Sequence, residues 1–114
     1  MTSLDNENDV VIDFAKLGGP VYLGRERGQK IREQFALDRD IDKTDKKVVV
    51  NIPTNTYSIN SSFFLGLFGR SIRNAGSREE FLQKFTFNAP RLFSEVIESC
   101  IARALHEKGF LIEK

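Results

Sequence analysis

The chain has 114 residues, 17 of them basic and 16 acidic for a formal net charge of +1, and 40% are hydrophobic. That length holds one domain with one core, and the balanced charge argues against a nucleic-acid module, which carries a basic excess or stripe. One His and one Cys exclude an intramolecular disulfide and the usual zinc site, and no apolar run approaches the about 20 residues that a membrane-spanning helix needs.

Residues 1–9 are polar and acidic, and they read as a flexible tail before a single domain over residues 10–114. They lack the basic-then-apolar pattern of a secretory signal. With a lone cysteine, the expected location is the cytoplasm. Residues 10–14, Val-Val-Ile-Asp-Phe, form a strand candidate, and Gly18-Gly19-Pro20 marks a turn. Val21-Tyr22-Leu23 is a short second strand that would pair with the first. Gly24-Arg25-Glu26-Arg27-Gly28 opens the next element. Residues 29–37 read as an amphipathic helix with Ile31, Phe35 and Leu37 inward.

Residues 38–47 are highly charged, with Ile41 as their one apolar residue, and read as a solvated loop or helix end. Residues 48–52 are the strongest strand. Three consecutive valines predict burial on both faces, and Pro53 ends the ladder. Asn60 or Ser61 is the expected N-cap of a helix reaching Ala75, with Phe64, Leu67, Phe68 and Ile72 on one face. Gly66 and Gly69 are poor helix residues, so their presence points to close packing against a neighbour or partner. Residues 74–77 stop that helix, and residues 78–83 make a helical turn.

Residues 84–88 alternate polar and apolar, as a half-buried strand near a sheet edge does. Pro90 suits the first turn of a last helix. Its stripe would run through Leu92, Phe93, Val96, Ile97, Cys100, Ile101, Ala104 and Leu105, Gly109 would end it, and residues 110–112 would be a short strand or packed tail. Alternating strands and helices predict an α/β fold: a four- to five-stranded mixed sheet with helices mainly on one face.

Chemistry concentrates at Asn60-Ser61-Ser62-Phe63. Serines at a helix start sit beside unpaired backbone N–H groups and the positive end of the dipole. Such a place suits an anion or a phosphorylated hydroxyl, and it equally suits plain capping. In Gly24–Gly28, two arginines and Gly28 at a helix start would suit a phosphate or an acidic partner, or a tight turn with solvated charges. The glycine spacing matches no nucleotide-binding fingerprint. His106, near the end of the last helix, suits the dipole there and has no evident nucleophile beside it. Asp13 and Glu26 have no spacing that demands a carboxylate pair. Nothing predicts a metal, a cofactor or a catalytic constellation.

Ile59-Asn60-Ser61-Ser62-Phe63-Phe64-Leu65-Gly66-Leu67-Phe68-Gly69-Arg70, preceded by a valine-rich strand, resembles the core signature of STAS domains, the sulfate-transporter and anti-sigma-factor-antagonist domains. With the Gly24–Gly28 helix start, the chain is similar over nearly its whole length to the STAS-like group of uncharacterised bacterial domains. The resemblance implies a regulatory protein–protein interaction module of STAS-like fold. It also implies that Ser62, with Ser61 beside it, is the position phosphorylated in the antagonists by a GHKL-type ATP-binding kinase. Asn60 stands where the antagonists carry Asp, and Phe63 where they carry Gly, which would narrow a kinase's access. On this reading Asn60, Phe63, Gly66, Gly69, Arg25, Arg27 and Gly28 are candidate partner- or anion-binding residues. Phe63, if exposed, would be an anchor. The rival readings are a small-ligand or nucleotide receptor that uses the helix starts at Ser62 and Gly28, and a structural subunit that oligomerises through a phenylalanine-rich surface.

Overall fold

A computed structural model describes residues 10–113, with side chains through residue 106. The expected tail, residues 1–9, and the side chains of residues 110–112 lie outside it. Five short strands and four α-helices follow one another: β1 (Val10–Asp13), β2 (Val21–Tyr22), α1 (Arg25–Gln34), β3 (Val48–Asn51), β4 (Ser58–Ile59), α2 (Ser61–Ala75), α3 (Arg78–Lys84), β5 (Phe85–Asn88) and α4 (Ser94–Glu113).

The strands form an α/β fold with two small sheets where one mixed sheet was expected. One has the order β1-β3-β5 and the other pairs β2 with β4, and every pairing is parallel. β2 therefore does not pair with β1. The chain leaves β1 through a 3-10 turn at Phe14–Lys16 and resumes beside Ser58–Ile59. β4 has only two residues, too few to show a period in the sequence.

The order β1-β3-β5 advances in one direction. Right-handed crossovers of that kind place their helices on one face. Burial follows suit. Val10, Val48 and Phe85 share one register row, and Ile12, Val50 and Phe87 another, and these rows face the helices. The intervening row has Val11 at 51% exposed, Val49 half-buried and Thr86 exposed. Burial of β3 on both faces is thus corrected: helices cover one face only.

The core is a phenylalanine network. Phe68 lies 5.3 to 6.4 Å, centroid to centroid, from Phe81, Phe85 and Phe87 and 4.9 Å from Phe64. Tilted and edge-on rings of this kind add about 0.5–1.5 kcal/mol per pair beyond their buried area. The described phenylalanines are buried or half-buried, so the phenylalanine-rich outer surface of the oligomer reading is absent among them.

Several boundaries move. α1 starts at Arg25, after Gly24 at φ +93°, and ends at Gln34. Ala36, in the left-handed region, then feeds a π-helical turn at Leu37–Ile41. That turn buries Leu37 and Ile41, so the segment read as solvated is anchored in the core. α2 ends at Ala75, with Gly76 after it in the left-handed conformation, within the expected stop, and Ser77 caps α3 by accepting from the Glu80 N–H at 3.1 Å. Leu92 sits in a 3-10 turn and is 69% exposed, outside the stripe. α4 continues through Gly109 to Glu113, so residues 110–112 are helical and not a strand.

Candidate functional site

β2 and β4 run parallel and end side by side, and the N–H of Asn60 carries the ladder one step further by donating to the Tyr22 carbonyl at 3.0 Å. Both chains then turn straight into helices. In open parallel sheets, binding sites sit outside these carboxyl ends of the strands, where helix starts converge.

Asn60 is the residue at which the two helix starts meet. Its backbone is extended (φ −90°, ψ 165°), and its Oδ1 accepts from the Phe63 N–H at 2.9 Å, closing the first turn of α2. The same oxygen accepts from the Gly24 N–H at 3.3 Å, just before α1. Of the two expected caps, Asn60 is the one used. Ser61 and Ser62 become the first two residues of the helix.

The serines then divide. Ser61 is half-buried, close enough to the Cys100 thiol of α4 to act on its titration. Burial pushes the Cys100 thiol up from its ordinary range, and the Ser61 hydroxyl only partly offsets that, so this thiol is a core group. Ser62 is exposed, and its hydroxyl bonds to no described residue. Helical geometry turns Phe63 inward, where its ring lies 5.3 Å from Tyr22 and 6.0 Å from Phe14. Phe63 is therefore neither an exposed anchor nor an obstacle above Ser62.

The remaining candidates separate by what they touch. Arg27 donates to the carbonyls of Val21 at 2.7 Å and of Leu17 and Gly18 at 2.9 Å, and its guanidinium lies 4.9 Å from the centre of the Tyr22 ring. It fastens the turn between β1 and β2, which removes it from the partner-binding set. Gly28 and Gly66 meet where α1 crosses α2. A Cβ on Gly28 would collide with the Phe63 carbonyl oxygen and lie 2.8 Å from the Leu67 nitrogen. One on Gly66 would collide with the Arg25 carbonyl oxygen. Both are buried packing residues. Gly69 is buried without such a collision, since its nearest neighbour would be Arg73 Nη1 at 3.5 Å. Arg25 stays exposed at the start of α1 and bonds to no described residue. His106 is exposed on α4. Asn60, Ser61, Ser62 and Arg25 thus lie together about the two helix starts.

One polar cluster escaped the sequence reading. Arg32 is buried on α1, donating through Nη1 to the Leu67 carbonyl and to Ser71 Oγ, both at 2.9 Å. Its other nitrogens pair with Asp38 and Asp42. Ser71 Oγ donates in turn to Asp42 Oδ1 at 2.7 Å. The hydrogen bond from Arg32, followed by the nearby positive charges, holds the Asp38 carboxyl below its ordinary range. The one sequence signal was an arginine directly after Ile31 on the inward face of α1, followed by Asp38 and Asp42 on a segment with too few apolar residues to look anchored.

Among the described residues no group of acidic, His or Cys side chains is arranged to hold a metal, and no helix is long and apolar enough to cross a membrane. Comparison of the chain with models of protein families, with curated proteins and with solved structures finds no match.

Proposed function

We propose that this chain is a regulatory protein–protein interaction module of STAS-like arrangement, switched by phosphorylation of Ser62. The observation that carries the reading is the state of that side chain: an exposed, unbonded hydroxyl on the second residue of α2, while Ser61 is half-buried near Cys100 and Phe63 is turned away. A kinase reaches a hydroxyl of this kind without unfolding the helix.

The phosphoryl group adds about −1.5 to −2 charge. At a helix start it meets unpaired N–H groups and the positive end of the dipole, so the fold tolerates it. The change is felt outside the chain. A partner packed over Ser62 would have to desolvate the new charge, and contact is lost unless the partner supplies cations. The resemblance drawn from the Asn60–Arg70 segment makes the partner an ATP-binding kinase of the GHKL type. That partner would act on the surface around Ser62 and Arg25.

The test is intact-protein and peptide mass spectrometry of the chain isolated from its host, beside in-vitro phosphorylation by the kinase that co-purifies with it. The reading requires phosphate on Ser62, lost in Ser62→Ala and retained in Ser61→Ala. Incorporation at neither serine overturns it. Capture of the same proteins by wild type and Ser62→Asp would reduce Ser62 to an exposed helix residue without a switching role.

A further inference from the structure

Two backbone contacts bracket Ser62 and fix its place relative to α1. On one side, Asn60 Oδ1 accepts from the Gly24 N–H at 3.3 Å. On the other, a Cβ on Gly66 would lie 3.0 Å from the Arg25 Cα and would collide with its carbonyl oxygen, so the first turn of α1 rests against Gly66. Gly66 follows Ser62 by four residues in α2, on the same helix face. With about 1.5 Å of rise per residue, Ser62 stands about 6 Å along α2 from that contact, on the side toward Gly24. Arg25 is therefore the α1 side chain brought opposite Ser62. A side chain on Gly24 would meet nothing within 4 Å, so the space beside the start of α1 is open.

Arg25 is exposed and bonds to no described residue. The arginines deeper between the helices are committed to carboxylates. Arg32 pairs with Asp38 and Asp42, and Arg70 pairs with Asp38. Glu33 lies eight residues from Arg25 on the same helix, about 12 Å along its axis. Glu26 is the next residue and projects about 100° round the helix from Arg25. Unmodified, Ser62 offers Arg25 a single neutral hydroxyl, which is poor return for ordering a long exposed side chain. A phosphoryl group offers three strong acceptor oxygens and about −1.5 to −2 charge, a match for the two-pronged guanidinium.

We propose that phosphorylated Ser62 is gripped within the chain by Arg25, a contact that ties the start of α2 to the start of α1. The inference rests on the phosphorylation of Ser62 read above and names what that phosphate binds. The phosphate then acts on a partner twice: it adds an anion to the surface, and it withdraws the cation of Arg25 from it.

The experiment uses the full, isotope-labelled chain with phosphoserine genetically encoded at position 62, so that no kinase is needed. The arginine side-chain N–H spectrum and the thermal melt are compared with those of the unmodified chain. The Arg25 Nε–H signal should shift and exchange more slowly with water on phosphorylation. The melting temperature should rise by about 4 °C, as one added charge-assisted contact in a domain of this size implies. Arg25→Gln should lose most of that rise, Arg25→Lys should keep part of it through its charge, and Glu26→Gln should retain it in full. Each variant carries its own unphosphorylated melt as reference, which separates the contact from any effect of the substitution on folding. An Arg25 signal indifferent to the phosphate overturns the proposal. So does a rise as large in Arg25→Gln as in wild type, or a shift at Arg32 or Arg70 in place of Arg25. Because the phosphate is supplied synthetically, either result leaves the phosphorylation reading standing. Absence of phosphate from the chain isolated from its host would count against that reading and not against the contact measured here.

Discussion

Arg32 and Asp42 form a buried ion pair that ties α1 to the segment after its π-helical turn, with side chains only 6% and 3% exposed. Such a pair is weak evidence for net stabilisation, because both ions lose their water. Breaking it from one side is another matter, since the remaining charge stays buried. Arg32→Ala should therefore destabilise the fold by about 3–5 kcal/mol. Arg32→Met with Asp42→Leu should recover much of that loss. Urea unfolding followed by circular dichroism measures both, and a single substitution costing less than about 1 kcal/mol would contradict the burial described here.

The glycines of the helix crossing give predictions of opposite sign. Gly66→Ala drives a methyl into the Arg25 carbonyl and Gly28→Ala into the Phe63 carbonyl, so each should cost about 1–3 kcal/mol or more through overpacking. Gly69→Ala meets only ordinary van der Waals neighbours and should stabilise the chain by about 0.5–1 kcal/mol through helix propensity. Thermal melts of the three variants side by side decide the matter.

Asn60 serves two helix starts with one oxygen. Asn60→Ala should cost about 1–2 kcal/mol, at the upper end for a cap because a second N–H is left unpaired. Asn60→Asp keeps the acceptor and adds charge at the favourable end of the dipole, so it should be neutral or stabilising. Amide exchange at Gly24 should speed up in the alanine variant and not in the aspartate one.

Ser62→Asp places a carboxylate in the exposed first turn of α2, where the dipole contributes roughly 0.3–1 kcal/mol in its favour. The variant should melt at the same temperature as wild type or higher. Any loss of partner contact it causes is then an interface effect and not a folding defect. A clear fall in melting temperature would remove it as a mimic of the phosphorylated state.

Asp38 supplies a pH dependence. Its folded-state carboxyl titrates below the unfolded value, chiefly through the hydrogen bond from Arg32. The stabilisation is therefore fully present above the unfolded carboxylate range and is lost as pH falls through the lower folded value. Its side chain is 51% exposed, so solvent screening keeps the contribution small, on the order of 1 kcal/mol or less. Asp38→Asn should flatten the acid limb of a stability-versus-pH curve and leave its shape above neutrality unchanged.

Local pattern was enough for the α/β class, for β1, β3 and β5, for the amphipathic α2 and for its start at the serines. Apolar period and turn residues depend only on neighbours in the chain, and in those stretches the tertiary contacts agree with them. The placement of Gly66 against a neighbouring element was legible too, since glycine inside a helix is costly without a close approach.

What the tertiary structure decided involves partners far apart in sequence. The two-residue β4 exists because Val21–Tyr22 lies beside it. The charged segment after α1 is held in place because Arg32 and Ser71, on two different helices, meet Asp42. Phe63, Gly28 and Arg27 left the candidate site because helical rotation and long-range packing aim them inward or against backbone carbonyls. Sequence by itself determined where hydroxyls and helix starts coincide, because that is a matter of adjacent residues. Only the fold decided that Ser61 is half-buried while Ser62 faces solvent, because successive helical residues point about 100° apart and the packing of α4 selects which of them is covered.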